Sequence, residues 1–183
     1  MRFIPNFAEL VKHITSMLRK GSEIKWIDVA RRSFDSIKEA IMEAPTLINP
    51  DYSKEFHIFS FASDDTLVAV LMQADEEGSK HPVAFFSKTL RDAKLRYDII
   101  EKQAYALIKS LKAFRIYILH SKIIAYLPSA SIKDILTQPN ADGRRAKRIA
   151  KLIEFNIELK PTKLVRGQGL ADGWLKKIAE HCT

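Results

Sequence analysis

Four cations, Arg144, Lys147, Arg148 and Lys151, recur at i, i+3, i+4 and i+7, the interval that lines up side chains on one face of a helix. Ile149, Leu152 and Ile153 fall on the other side of the same stretch and are expected to point inward. Lys160, Lys163 and Arg166 follow nearby. Two readings suit this pattern: an ordinary solvated face, or a track that touches successive phosphates of a nucleic-acid backbone. Other constellations offer less chemistry. His13, His57, His81, His120 and His181 show no metal-ligand spacing such as i, i+4 on one helix. Cys182 is the single cysteine, so neither an intrachain disulfide nor a thiolate zinc cluster can form. A serine nucleophile elbow, a Walker loop and a dinucleotide-binding glycine fingerprint are missing, and the Gly-Gln-Gly at 167–169 is too short to cradle a phosphate and reads as a turn.

Composition agrees with a polyanionic partner. The 183 residues carry a formal charge of +8 and a pI near 9.5, which favours association with polyanions but says nothing of fold. A hydrophobic content of 46% with 6 Gly and 7 Pro is enough to bury a core. The start, MRFIPNF, lacks signal-peptide regions, and no apolar run approaches the roughly 18 residues of a membrane span. The expectation is a soluble, intracellular protein, cytoplasmic or nuclear, with no membrane partner.

Two helices should precede the main domain. Asn6 with Glu9 three residues on suggests a capping box. Phe7, Leu10, Val11, Ile14, Met17 and Leu18 then keep helical spacing, with Arg19 and Lys20 at the end and Gly21 as a stop. Ala30, Phe34, Ile37, Ile41 and Ala44 mark a second amphipathic helix ended by Pro45, and Pro50 closes the pair. From Phe56 the period changes: FHIFSFA, TLVAVLMQ and HPVAFFS read as three strands, the last two joined by the Gly78 loop. Ile100, Ala104, Leu107, Leu111, Phe114 and Ile118 form one helical stripe. KIIAYL reads as a strand, SIKDILTQ as a short helix, RRAKRIAKLI as an amphipathic helix, FNIEL as a fifth strand and LADGWLKKIAE as a closing helix. Such an order specifies an α/β protein whose late strands join the sheet through helical crossovers.

Longer strings carry a resemblance. RFIPNFAELVKHITSMLRKG, then Trp26, Phe34, Ile37 and Lys38, and APTLINPDYSK, HPVAFFSKTL, RYDIIEKQAYALIKSLKAFRIYIL and FNIELKPTKLVRGQGLAD occur in the order and at the gaps of one family. The chain resembles the end of the thumb and the RNase H-like domain of reverse transcriptases from gypsy-type LTR retrotransposons. FSFAS, EKQAYAL and KPTKLVRGQGLA are similar to plant elements of that group. The resemblance implies an RNase H-like five-stranded mixed sheet flanked by helices over 54–183, preceded by a small helical thumb or connection segment over 1–50. It also implies that the chain is part of a longer polyprotein or a decayed copy, because the polymerase palm is absent from these residues.

The same resemblance implies a magnesium site. RNase H cleaves the RNA strand of a hybrid with two magnesium ions, which require several carboxylate oxygens. In the family these are an Asp in a T-D-A-S-like string on the first strand, a Glu in E-K-E on the long helix, an Asp at the end of the fourth strand and an Asp near the last helix. Here SFAS places Phe61 at the first position, EKQ places Gln103 at the second, and AYLPSASIKDIL places Pro128 at the third, while Asp172 in LADG matches the fourth. Asp64, Asp65 and Glu101 are nearby but out of register. The expectation is therefore a degenerate, non-catalytic RNase H-like or connection module that positions an RNA/DNA hybrid, with Arg144, Lys147, Arg148 and Lys151 on the backbone. Its other partner would be the remainder of the polyprotein. No cofactor is expected, magnesium entering only if the site were active. Two alternatives stand: an active magnesium-dependent RNase H with displaced carboxylates, and a decayed copy reused as a binding module. Family members often carry Trp where Arg148 stands. Phe61 is expected to be an inward core aromatic, and Gln103 a satisfied polar residue at a helix contact.

Overall fold

A computed structural model describes residues 3–18, 26–137, 143, 150 and 152–161. Three antiparallel strands come first in the sheet, β1 (Phe56–Ala62), β2 (Thr66–Ala74) and β3 (Lys80–Thr89). The β2–β3 hairpin turns at Gly78, whose φ of 88° suits a residue without a Cβ. Asp75 organises that turn, its Oδ1 accepting from Glu77 N at 3.0 Å and Ser79 N at 2.9 Å. Its Oδ2 lies 2.8 Å from His81 Nε2, a contact that draws the Asp75 carboxyl below its ordinary range.

β2 is buried from Thr66 to Gln73 with no alternation, as its unbroken apolar run and its place between two strands require. The chain then forms a 3-10 turn (Asp92–Arg96) and the long helix α4 (Ile99–Ile118). Asp98 caps this helix by accepting from Glu101 N at 2.7 Å. α4 is the crossover that lets β4 (Ile123–Leu127) lie parallel to β1. After α5 (Ala130–Thr137), β5 (Ile157–Pro161) adds in parallel to β4. The resulting order is β3-β2-β1-β4-β5, the five-stranded mixed sheet flanked by helices expected from the sequence.

One stripe of α4 fills the core. Leu107, Leu111, Phe114 and Ile118 pack on Phe56, Ile58, Ile123 and Ala125, with Ile132 and Leu136 of α5 closing one end. Each such side chain contributes about 1.5–3 kcal/mol of burial.

The N-terminal helices differ from the sequence expectation in detail. The first breaks at Val11 into α1 (Phe7–Leu10) and α2 (Lys12–Met17). Asn6 takes a left-handed backbone (φ 48°) and its side chain does not cap α1, so the capping box is not formed. Glu9 instead accepts from Thr66 Oγ1 at 2.9 Å, and Ala8 N donates to Ser87 Oγ at 2.9 Å, which docks α1 against the meander. α3 (Asp28–Met42) ends before Pro45, but it buries Ala30 and Ser33 while Phe34 and Ile41 stay exposed. Leu152 is buried as expected, whereas Ile153 is 79% exposed rather than inward. Arg19, Lys20, Gly21, Arg144, Lys147, Arg148, Ile149, Lys151, Lys163, Arg166 and Asp172, with the closing LADGWLKKIAE segment, lie outside the described residues.

Candidate functional site

Of the positions singled out by sequence, Gln103 lies where β1 outruns its neighbour. β1 pairs with β4 only over Phe56–Phe59, so at Ala62 the backbone on that side has no strand to meet. Ser63 N already bonds Thr66 O at 2.9 Å on the β2 side, which leaves the N–H and C=O of Ala62 facing the opening. Gln103, projecting from the first turns of α4, fills it: Oε1 accepts from Ala62 N at 2.8 Å and Nε2 donates to Ala62 O at 2.9 Å. The amide thus imitates a neighbouring strand. With Gln103 only 5% exposed, each bond adds about 1 kcal/mol net, and losing either partner costs about 1–3 kcal/mol.

A second buried glutamine works the same way elsewhere. Gln73, at the end of β2, accepts from Asp51 N at 2.8 Å and donates to Asp51 O at 2.7 Å, tying the segment that follows α3 to the sheet.

Phe61 does not share Gln103's side of the sheet. Strand alternation puts Phe56, Ile58 and Ala62 toward α4, and the register sets Phe61 opposite Val68 on the other face. There it is half-buried, so it is not a residue of the main core. That outer face also holds Phe59, stacked on Tyr126 at 4.4 Å with the rings 5° from parallel, and His57 at 5.9 Å from Tyr126. Burial, followed by Lys80, lowers the His57 pKa, and burial raises that of Tyr126, so both rings are uncharged near pH 7. Pro128 directly follows β4 and is half-buried.

Cations occupy the surroundings. Lys102 is buried and donates to Asp64 O at 2.6 Å, joining α4 to the β1–β2 turn. Asp65 is engaged by Lys12 of α2 through a short ion pair, with Glu9 also 3.5 Å from Lys12 Nζ. The hydrogen bond from Lys12 holds the Asp65 carboxyl below its ordinary range, and the bond to Asp65 raises Lys12. Asp65 is therefore a latch between the N-terminal helices and the sheet, a role that sequence spacing did not reveal.

These residues do not fit a pair of magnesium ions. Phe61 and Pro128 carry no donor oxygen, Gln103 has both amide atoms on the Ala62 backbone, and Asp65 is bonded to Lys12. Among the described residues no group of three His, Cys, Asp or Glu side chains could hold a metal ion. Among them, too, no helix is long and apolar enough to cross a membrane.

Residues 26–125 match the model of the RNase H-like domain found in reverse transcriptase. The chain is 38% identical over 160 residues, 86% of its length, to the retrovirus-related Pol polyprotein from transposon 297 of Drosophila melanogaster. It is 29% identical over 163 residues to the transposon Tf2-3 polyprotein of Schizosaccharomyces pombe. It spans only 15% and 12% of those two polyproteins. The foamy viral protease-reverse transcriptase dRH, solved in complex with ds DNA, superposes with a TM-score of 0.76 over 91% of this chain and 30% of that one, at 23% identity. The foamy viral protease-reverse transcriptase in complex with RNA/DNA hybrid gives 0.72 over 90% of this chain and 23% of that one, also at 23% identity. At that identity the likeness establishes the fold.

Proposed function

Because this chain belongs to the family of RNase H-like domains found in reverse transcriptase, we propose that it is a non-catalytic module of a retroelement polyprotein that positions an RNA/DNA hybrid. The observation that carries this reading is the Gln103 amide, bonded through both its atoms to Ala62 at the position where the family places a carboxylate. Phe61 and Pro128 at two further positions leave Asp172 as the one matching carboxylate. Two divalent ions a few ångström apart repel strongly unless several carboxylates neutralise them, so one Asp supports no two-metal hydrolysis. What remains useful to a polymerase is the grip on the backbone, supplied in this reading by Arg144, Lys147, Arg148 and Lys151. Complexes of foamy viral relatives with ds DNA and with RNA/DNA hybrid favour such a partner.

We also assign 1–50 to the end of the thumb or connection and 54–183 to the RNase H-like unit. The parent element we place among gypsy-type LTR retrotransposons, nearest to plant elements, on the FSFAS, EKQAYAL and KPTKLVRGQGLA strings. Its site of action is then intracellular, in cytoplasm or nucleus.

The test is one titration of the full chain against a labelled RNA/DNA hybrid with magnesium, scored for both binding and cleavage. The RNA should be bound and uncut. Log affinity should fall with log salt by about 0.9 per phosphate contact if the hybrid behaves as B-form duplex does, and Ala at Arg144, Lys147, Arg148 and Lys151 together should flatten that slope. Cleavage that disappears in Asp172→Asn would overturn the non-catalytic reading, and an unchanged slope in the fourfold variant would overturn the basic track.

A further inference from the structure

A cleft of about 520 Å³ opens between the α1–α2 helices and the end of β3, with Phe7 and Val11 on one wall and Lys88, Arg91 and Lys94 on the other. Tyr105 of α4 lines it as well, and its ring has Lys94 Nζ at 5.9 Å and Lys109 Nζ at 5.3 Å from the centroid. Tyr97 meets the same ring edge-on at 6.1 Å. Among the described residues none of Lys88, Arg91, Lys94 and Lys109 forms an ion pair, although Lys12, Arg115 and Lys122 each hold a carboxylate. Among the described residues Asp92 is the single carboxylate in the cleft lining. Three cations in the lining against one carboxylate, with Lys109 over the Tyr105 ring as well, leave the recess net positive.

Its size limits what can enter. A volume of 520 Å³ falls within the range of small-ligand pockets, about 300–1,000 Å³. That is room for a nucleotide or two, whereas a duplex whose major groove alone is about 12 Å wide cannot enter. Grooves that hold single strands combine a cationic track along the backbone with an aromatic platform for the bases. This cleft has both.

We propose that the cleft between α1–α2, β3 and Tyr105 binds single-stranded nucleic acid, its phosphates against Lys88, Arg91 and Lys94 and a base beside Tyr105. The proposal rests on the reading of the chain as a nucleic-acid module, but it uses none of the residues assigned to the hybrid. The single strand is a second ligand, held on the side of the N-terminal helices.

Labelled oligothymidylate titrated with the full chain at several salt concentrations tests this. Each phosphate contact on a single strand contributes about 0.7 to the salt slope, so Lys88→Ala/Arg91→Ala/Lys94→Ala should lower the slope by about 2 and weaken low-salt binding at least tenfold. These side chains are exposed, and unchanged circular dichroism will show that the variant folds. Tyr105→Leu should weaken binding about tenfold, since it removes the ring on which a base stacks, while Tyr105→Phe should bind as the parent does. The Arg144, Lys147, Arg148 and Lys151 fourfold variant should keep its oligothymidylate slope. A cleft triple variant that binds oligothymidylate like the parent overturns the proposal and leaves hybrid binding standing. Cleft-dependent oligothymidylate binding without any hybrid binding would instead remove the hybrid reading and keep this one.

Discussion

Replacing Gln103 by Glu changes one NH₂ into an oxygen and restores the residue type that the family resemblance implies, so it asks directly what this position does. In the folded chain Nε2 donates to Ala62 O at 2.9 Å. An ionised carboxylate would set a negative oxygen against that carbonyl inside a site that is 5% exposed. The side chain escapes by keeping its proton, because neutral Glu offers one donor and one acceptor, as the amide does. Burial and that hydrogen bond should lift the folded-state pKa above the unfolded value near 4.3. The sign follows from proton counting. Below about pH 4 both folded and unfolded chains carry the proton and the variant is close to the parent in stability. From about pH 4.3 up to the raised folded value the unfolded chain loses the proton while the folded chain retains it, so stability relative to the parent falls by about 1.4 kcal/mol per pH unit. The loss levels off once the pH passes the raised folded value. Gln103→Leu leaves both Ala62 groups unpartnered and should cost about 2–4 kcal/mol at every pH. Urea unfolding of the three proteins from pH 4 to 8, compared at constant m-value, measures both effects. If Gln103→Glu matches the parent at pH 7, or if its deficit does not vary with pH, the amide is not what holds the end of β1.

Two further outcomes concern the remaining framework. Asp65 has its pKa lowered by Lys12, so its contribution is present above about pH 3.9 and is lost as the pH falls through the depressed folded value. Asp65→Asn should therefore be less stable than the parent at neutral pH, and the two should converge in acid, as read from thermal midpoints across the acid limb. Leu107→Ala, at a fully buried position of the α4 stripe, should cost about 2–5 kcal/mol, seen as a lower urea midpoint without a change in strand content.

Strands and long helices were legible because their signals are local. The unbroken apolar run of β2, the aromatic-rich run of β1 and the α4 stripe each encode burial within a few residues, and FHIFSFA coincides with β1 (Phe56–Ala62). What local pattern cannot carry is the partner. Asn6 and Glu9 have the spacing of a capping box, yet Glu9 is drawn to Thr66, 57 residues away. Phe34 and Ile41 keep helical periodicity but remain exposed, because α1 and α2 cover only the Ala30–Ser33 side of α3. Phe61 read as an inward aromatic, and only the register against Val68 places it on the outer face. Gln103 stands at i−4 from Leu107 and i−8 from Leu111, an interval that foretold a buried polar group in need of partners. Naming those partners required knowing where β4 stops. Of the candidate site, Phe61, Gln103 and Pro128 are now placed, and the Gln103–Ala62 pairing and the Lys12–Asp65 latch were found only in three dimensions.

If the module is non-catalytic, as proposed, the Gln103–Ala62 bonds also give a reason why one restored carboxylate should not bring chemistry. In a working two-metal site the buried negative charges at these positions are stabilised by the ions they bind, and each ligand is tolerated because the others help to hold the metal. Taken singly, Glu at 103 meets the Ala62 carbonyl and Asp at 61 must replace a half-buried ring, so each carries the cost of a buried charge with no ion to offset it. Ligands that act as a unit give grossly non-additive effects, so under the proposed reading no single reversion of Phe61, Gln103 or Pro128 should bring in magnesium-dependent cleavage. A site stripped of its first carboxylate is under the opposite pressure, because every remaining ligand then becomes an unpaired charge. Glutamine at 103 is the residue of nearly the same shape that removes this charge and pairs both free groups of Ala62, so once metal is no longer held it is the more stable occupant.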